Sequence, residues 1–375
     1  MALSVEPVEE DPEYLTRQLI TCLGNKRNLL PLIGQGLDFV RQDLGRAQLK
    51  LFDVFSGSGI VARFFKRYAS WLLVNDLEHY SQVLNSCYLT NASQVPPLEA
   101  ARAEVLEAAN QGTWGFISEL YAPEDDQHIQ PGERVFYTTR NARFLDAACQ
   151  AIAFQPSELR PYLLAPLLTE ASIHANTSGV FKGFHRDAQT GVGAFGGKGR
   201  NALGRILGEI TLPEPLFSRF DVPFEVLETE AGEAARLAPP VDVAYLDPPY
   251  NQHPYGSNYF MLNLLARYER PTDISTVSGI PRQWNRSAYN RPQEIRTALA
   301  DLIENLKAEY ILVSFSSEGF LSRSELEALL QNFGTLTVLE QRYPAFRGSR
   351  NLAQRELHVK EYLFILHKTH PGAPL

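Results

Sequence analysis

Cysteine is scarce in this chain: Cys22, Cys87 and Cys149 are the only three in 375 residues, and no two form a C-x-x-C pair. That excludes a disulfide framework and a local zinc knuckle, and no Cys/His cluster offers a metal site. A run of roughly 18 apolar residues, the minimum for a membrane span, is also missing. Basic residues are missing from the first sixteen positions, which hold Glu6, Glu9, Glu10, Asp11 and Glu13; a signal peptide needs a basic start and an apolar core. These absences predict a cytoplasmic protein with no membrane partner. No repeat, proline-rich linker or low-complexity tract marks two domains in tandem. What is present, 44% hydrophobic and 21% charged residues, suits a globular chain with one or two cores and excludes collagen-like, mucin-like and disordered chains.

The net charge of −8 disfavours a polyanionic partner on average. Charge is segregated, however. The acids before residue 14 account for most of the excess, while residues 341–360 carry Arg342, Arg347, Arg350, Arg355 and Lys360 against Glu356 alone. Residues 175–210 carry Lys182, Arg186, Lys198, Arg200 and Arg205 against Asp187 and Glu209. Basic segments set in an acidic whole leave room for a phosphate-bearing partner.

Apolar periodicity predicts strands at 49–55, 71–74, 241–246, 310–315, 336–340 and 361–367, alternating with helices, hence a doubly wound, mainly parallel α/β sheet. Residues 93–235 break the rhythm. They offer helices near 98–110 and 157–173 and then a loop-like stretch with nine glycines between 175 and 210, a composition favouring backbone exposure over core building. We read 93–235 as an insert between two parts of one sheet domain, 14–92 and 236–368.

The first chemical signal follows the first strand. Gly57-Ser58-Gly59-Ile60-Val61-Ala62 fits G-x-G-x-x-A at a strand-to-helix turn, and Asp76 lies 19 residues after Gly57 at the end of the next strand. Such glycines let a ligand approach the backbone, and the acid can accept from both hydroxyls of a ribose. An adenosine-containing cofactor fits, NAD or S-adenosylmethionine alike.

The second signal is Asp247-Pro248-Pro249-Tyr250, directly after the apolar run 241–246. Open α/β sheets bind ligands at this carboxyl edge, and two prolines hold a rigid extended turn there. If the Asp247 carboxylate and the Pro248 carbonyl accept the two hydrogens of a ring amine, the nitrogen lone pair is freed for attack on a sulfonium methyl, with Tyr250 stacked on the ring. His253, Tyr255, Asn258 and Tyr259 shape a pocket or simply pack; His253 is not expected as a base, because the amine loses its proton after transfer. Trp284–Asn290 reads as a loop near this edge.

These motifs resemble the amino (N6-adenine and N4-cytosine) DNA methyltransferases, and within them the adenine-specific, Dam-like D12 class. Gly24-Asn25-Lys26 through Leu29–Ile33 is similar to the motif that helps hold the methionine end of the cofactor, Asp53-Val54-Phe55-Ser56-Gly57-Ser58-Gly59 to the cofactor loop, and Asp247–Tyr250 to the catalytic motif. The likeness extends to 176–185, 251–259 and 347–351 and covers most of 14–368. It implies a Rossmann-like methyltransferase sheet and S-adenosyl-L-methionine held by Lys26, Asp53, Phe55, Ser56, Gly57, Ser58, Gly59, Asp76 and Asp247. Asp247, Pro248, Pro249 and Tyr250 would be catalytic, with no metal.

Aspartate at the first catalytic position implies adenine N6, in a specific double-stranded DNA sequence, with the base rotated out of the helix. The insert 93–235 would then be the target-recognition region, with Lys182, His185, Arg186, Lys198, Arg200, Arg347 and Arg350 on DNA. A cognate restriction endonuclease is the partner this class allows, and a monomer or weak dimer at the nucleoid suffices. One departure is that many members carry an aspartate near the adenine ring before the catalytic strand, where this chain offers Glu230. Three other readings compete: an RNA adenine methyltransferase, an NAD-dependent oxidoreductase, and a catalytically silent DNA-binding protein.

Overall fold

A computed structural model describes residues 9–369 except 22–23, 198, 201, 251, 318 and 345–357. Its centre is one seven-stranded sheet: β1 Leu49–Asp53, β2 Ala69–Asp76, β3 Phe224–Glu228, β4 Val241–Leu246, β5 Ala308–Ser316, β6 Gly334–Pro344 and β7 His358–Lys368. The spatial order is β3-β2-β1-β4-β5-β7-β6. The first five strands are parallel, while β7 runs antiparallel to both β5 and β6. That hairpin departs from the all-parallel 3-2-1-4-5-6 order of the dinucleotide fold. Strands β4 and β5 are buried almost throughout, as expected where helices cover both faces.

The order reverses between β1 and β4, where Asp53 lies opposite Tyr245. Ligands of open α/β sheets sit outside the carboxyl ends at such a switch point. On one face the helices Ala231–Leu237, Ile295–Asn305 and Arg323–Leu330 close a core around Phe52, Ala244 and Val313; on the other, Leu30–Leu44 and Ile60–Phe65 cover Leu51, Val243 and Leu312.

Six strands match the sequence expectation; β3 was missed. Its sequence, Phe-Glu-Val-Leu-Glu, is only half-buried at the sheet edge, so it lacks the apolar run that marks the central strands. Both β3 and the helix Ala231–Leu237 fall inside 93–235 yet belong to the sheet, so the part outside the sheet ends before residue 224.

That part is a helical lobe. Glu99–Gln111 and Arg160–Ile173 answer the two predicted helices, and Phe116–Tyr121 and Thr139–Ala153 join them. Their core takes in Tyr80, Leu84 and Tyr88 from helix His79–Tyr88 and Met261 and Leu265 from helix Phe260–Arg267, so the lobe is fused to the sheet domain through shared packing. Among the described residues no helix is long and apolar enough to cross a membrane.

One buried carboxylate organises the lobe. Asp146, fully buried, accepts hydrogen bonds from the backbone N–H of Gly115, Ile117 and Ser118 at 3.0, 3.1 and 2.8 Å, from Ser118 Oγ at 2.6 Å and from Tyr268 Oη at 2.8 Å. It thereby caps helix Phe116–Tyr121 from a neighbouring helix. Asp146→Ala strands these donors in the interior and should cost about 3 kcal/mol, read as a lower urea midpoint with an unchanged slope.

Candidate active site

The glycine turn grows directly from β1. Val54 N–H donates to Tyr245 O at 3.1 Å, Ser56 N–H to Asn75 O at 3.0 Å, and Gly59 N–H to Ser56 O at 2.9 Å, which starts helix Ile60–Phe65. Gly57 and Gly59 have φ of +53° and +75°, a region side chains disfavour. A Cβ on Gly57 would meet nothing within 4 Å, leaving open space over the turn, whereas one on Gly59 would lie 2.5 Å from Asn85 Oδ1. Gly59 therefore serves packing and Gly57 faces the cleft.

Asn75 aligns three strand ends. Its Nδ2 donates to Val54 O at 3.1 Å and Thr229 O at 3.2 Å, and its Oδ1 accepts from Thr229 N–H at 3.2 Å. A cleft partly open to solvent lies over these ends. Lys26, Phe55, Ser56, Gly57, Ser58, Asp76, Asp247 and Pro249 line it together, so the two signals found almost 190 positions apart meet at one site. Pro248 is buried, and Gly59, Pro248 and Tyr250 fall outside the residues that line the cleft. Asp53 does too: it is fully buried beneath the turn.

Among further lining residues, Glu78 was not foreseen from the sequence, whereas Asn285 and Tyr289 belong to the loop 284–290 expected near this edge. Tyr289 sets its ring edge-on to Phe55, centroids 5.0 Å apart, forming an aromatic wall. Asn285 Nδ2 donates to Leu77 O at 2.9 Å and to Glu78 at 3.3 Å, docking the loop 284–290 against the end of β2. Asp76 receives Gly57 N–H at 2.7 Å and Glu78 N–H at 2.9 Å, fixing its orientation at the cleft. Glu230 also lines the cleft, but its carboxylate caps helix Ala231–Leu237, accepting from Gly232 N–H at 2.7 Å and Glu233 N–H at 3.3 Å.

The electrostatics centre on Lys26. Its ammonium is buried, 3.0 Å from Asp247 Oδ1, 3.3 Å from Gly24 O and 5.5 Å from the Tyr250 ring centre. Burial alone would lower its pKa, but Asp247, Tyr250 and Tyr245 outweigh burial and hold it well above the ordinary amine value. Burial keeps Asp247 above the ordinary carboxylate range despite this partner. Asp53 is pushed well up by burial and by Asp247 and Asp76, and burial raises Asp76 as well. Glu361 of β7 adds its charge near Lys26. Tyr250 leans against Phe315, centroids 5.3 Å apart.

The expected DNA-contacting residues scatter. Lys182 is exposed and near His253, whose pKa is lowered by burial and by that ammonium. Phe181 N–H donates to Asn258 O at 2.7 Å, docking this stretch beside the segment after Asp247–Tyr250. Arg186 spans loops, stacking on Phe184 at 4.3 Å and donating to Gly191 O and Val277 O at 3.1 Å each. His185 is half-buried and its N–H donates to Asn176 O at 3.1 Å. Arg200 is exposed, with φ of +49°. Lys198, Arg347 and Arg350 lie outside the described residues. Tyr259 is buried and stacked with Tyr255 at 5.7 Å.

Sheet order and cleft together fit a Rossmann-like methyltransferase fold. Residues 23–192 and 215–329 match the family model of the D12 class N6 adenine-specific DNA methyltransferases, and the chain belongs to that family. It is an enzyme of site-specific DNA methylation at adenine N6. It is 28% identical over 327 residues to the type II methyltransferase M.NlaIII of Neisseria lactamica, covering 84% of this chain and 90% of that relative. It is likewise 28% identical over 323 residues to M.CviAII of Paramecium bursaria Chlorella virus 1, covering 85% and 90%. The type II methyltransferase M.FokI of Planomicrobium okeanokoites is 27% identical over 372 residues, 92% of this chain and 52% of that longer protein. No solved structure matches the chain.

Glu78 gives the site a pH signature. Burial raises its pKa from 4.5 to about 7, against hydrogen bonds from Asn263 and Asn285. A carboxyl raised in the fold stabilises fully below its unfolded value and loses that contribution as pH rises through the folded one. The ligand-free protein should therefore lose stability between about pH 4.5 and 7 through this group. In Glu78→Gln this component of the slope should vanish while those of Asp53 and Asp76 persist; urea unfolding of both proteins at several pH values measures it, and identical slopes would refute the assignment.

Proposed function

We propose that S-adenosyl-L-methionine is the methyl donor and that the cleft over the strand ends holds it beside an adenine rotated out of duplex DNA. The residues suit such a cofactor. The open face of Gly57 admits it close to the backbone, the Phe55–Tyr289 wall offers an apolar slot for its adenine, and Asp76 presents a carboxylate for ribose hydroxyls. The acids Asp53, Asp76 and Asp247 complement a ligand bearing an ammonium and a sulfonium. Bound there, it supplies an activated methyl to the adenine amine, which afterwards sheds its proton to water.

The observation that carries this reading is that Asp247, paired with Lys26, shares the cleft with the glycine turn. Lys26 favours the ionised form of Asp247, the form able to accept an amine hydrogen. Pro248 offers its carbonyl for the other. Tyr250, its ring set by Phe315 and Lys26, stacks on the base, and stacking of about 1–3 kcal/mol offsets part of the few kcal/mol that base rotation costs. Lys182, His185, Arg186 and Arg200 on the loop beside the mouth meet the DNA, with the helical lobe as target-recognition region. The relatives' type II names support a cognate restriction endonuclease that cuts the unmodified target. One methyl per visit needs one active site, so a monomer or weak dimer acting on chromosomal DNA in the cytoplasm suffices.

Expression in a host lacking adenine methylation, followed by single-molecule sequencing of its DNA, tests the reading. N6-methyladenine should appear at one recurring motif and vanish with Asp247→Ala. In vitro that variant should lose more than about 100-fold in transfer rate while binding S-adenosylmethionine nearly as before by calorimetry. Substantial residual turnover would remove Asp247 from the chemistry.

A further inference from the structure

Residues 273–282 lie in the catalytic half of the chain, between helix Phe260–Arg267 and the loop 284–290. They close a tight hairpin. Ile274 bridges Pro281, Ser275 N–H donates to Ile280 O at 2.9 Å, Gly279 N–H to Ser275 O at 2.8 Å, and Asp273 pairs with Arg282 at 3.2 Å.

Three side chains from three segments of the lobe then fix its tip. Arg134 Nη2 donates to Thr276 O at 3.2 Å, Arg186 Nη2 to Val277 O at 3.1 Å, and Tyr121 Oη to Gly279 O at 2.8 Å. The approach is close, since a Cβ on Gly279 would lie 2.7 Å from both Arg134 Cδ and Tyr121 Cε1. All three bonds use backbone carbonyls. The Val277 side chain is left 66% exposed on a tip that cannot move freely.

We infer that this hairpin is a second part of the DNA-recognition surface, with Val277 as a stiff apolar knuckle that enters the duplex beside the flipped adenine. The inference rests on the proposed DNA reading and extends it to a segment outside the insert. Its placement supports it from both directions. Arg186 welds the tip to Phe184, and the same loop reaches the segment just after Asp247–Tyr250, at Asn258 and His253, through Phe181 and Lys182. At the other end, Arg282 is three residues from Asn285, which lines the cleft.

The charge suits a polyanion. Arg134, Lys182, Arg186 and Arg282 stand against Asp187, held in its own turn by Thr190, and Asp273, paired with Arg282. Duplex DNA supplies both complements, phosphates for the cations and base steps for an apolar wedge. Valine suits the role because β-branching restricts its side chain.

Val277→Ser and Val277→Asp test this on the intact chain with a duplex carrying the target motif. Both changes are at an exposed position, so thermal stability and S-adenosylmethionine affinity should match wild type. Val277→Ser should lower kcat/KM for DNA about tenfold, and Val277→Asp more, with weaker DNA binding by anisotropy and a smaller 2-aminopurine signal at the target base. Wild-type kcat/KM in Val277→Asp would overturn the inference while leaving the DNA reading intact. A wild-type protein that transfers no methyl to DNA would overturn both.

Discussion

A buried ammonium holds the acidic site together. The carboxyl ends of β1 and β2 deliver Asp53 and Asp76, the turn after β4 delivers Asp247, and β7 adds Glu361 nearby. So many carboxyl groups in a low-dielectric cleft cannot all ionise without compensation. Lys26 supplies part of it through Asp247, and the raised pKa values of Asp53, Asp76 and Asp247 express what is left. The site is thus strained toward a cation. Lys26 can be placed so because Asn25 caps its own turn, accepting from Arg27 N–H at 2.9 Å, and that turn runs straight into helix Leu30–Leu44 on the face of the sheet.

What could be read in advance was what is contiguous. The glycine turn and the Asp247–Tyr250 tetrapeptide each suggest their chemistry in a few adjacent residues, and the central strands announce themselves as apolar runs. Partnership is different. Nothing in the sequence links Glu78 to Asn285 across 207 positions, or puts Glu361 near Lys26. The same limit holds for Lys26: the resemblance implied a cofactor ligand, and only the fold shows that it lines the cleft paired with Asp247. Edge strand β3 escaped because half-burial does not demand an apolar run.

In the glycine-rich stretch, contacts say more than composition. Nine glycines between 175 and 210 favour backbone exposure over core building, yet buried Asn176 ties described parts of it together, donating to Val135 O at 2.8 Å and Ala194 O at 3.1 Å and accepting from Gly196 N–H at 3.1 Å. Arg205 adds bonds to Ala175 O and Thr177 O at 3.0 and 3.2 Å. A Cβ on Gly193 would lie 2.4 Å from Val135, and one on Gly197 2.8 Å from His185. Glycine here permits close approach. On the proposed reading, such ties would keep the loop from sliding against the cleft and presenting the wrong nucleotide to Asp247.

The same economy resolves the conflict between an acidic chain and an anionic substrate. Screening confines charge effects to about 10 Å at 0.1 M salt, so the net −8 matters less than where each charge is engaged. Glu10 accepts from Ser218 Oγ at 2.6 Å and Arg219 N–H at 2.9 Å, and Asp11 pairs with Arg219 at 3.0 Å. These acids are engaged within the chain, at the point where the lobe rejoins the sheet, while Lys182 and Arg200 stay exposed on the glycine-rich stretch. On the proposed reading, cations exposed on that loop attract DNA at contact distance even on a negative molecule, and acids elsewhere discourage binding in other orientations.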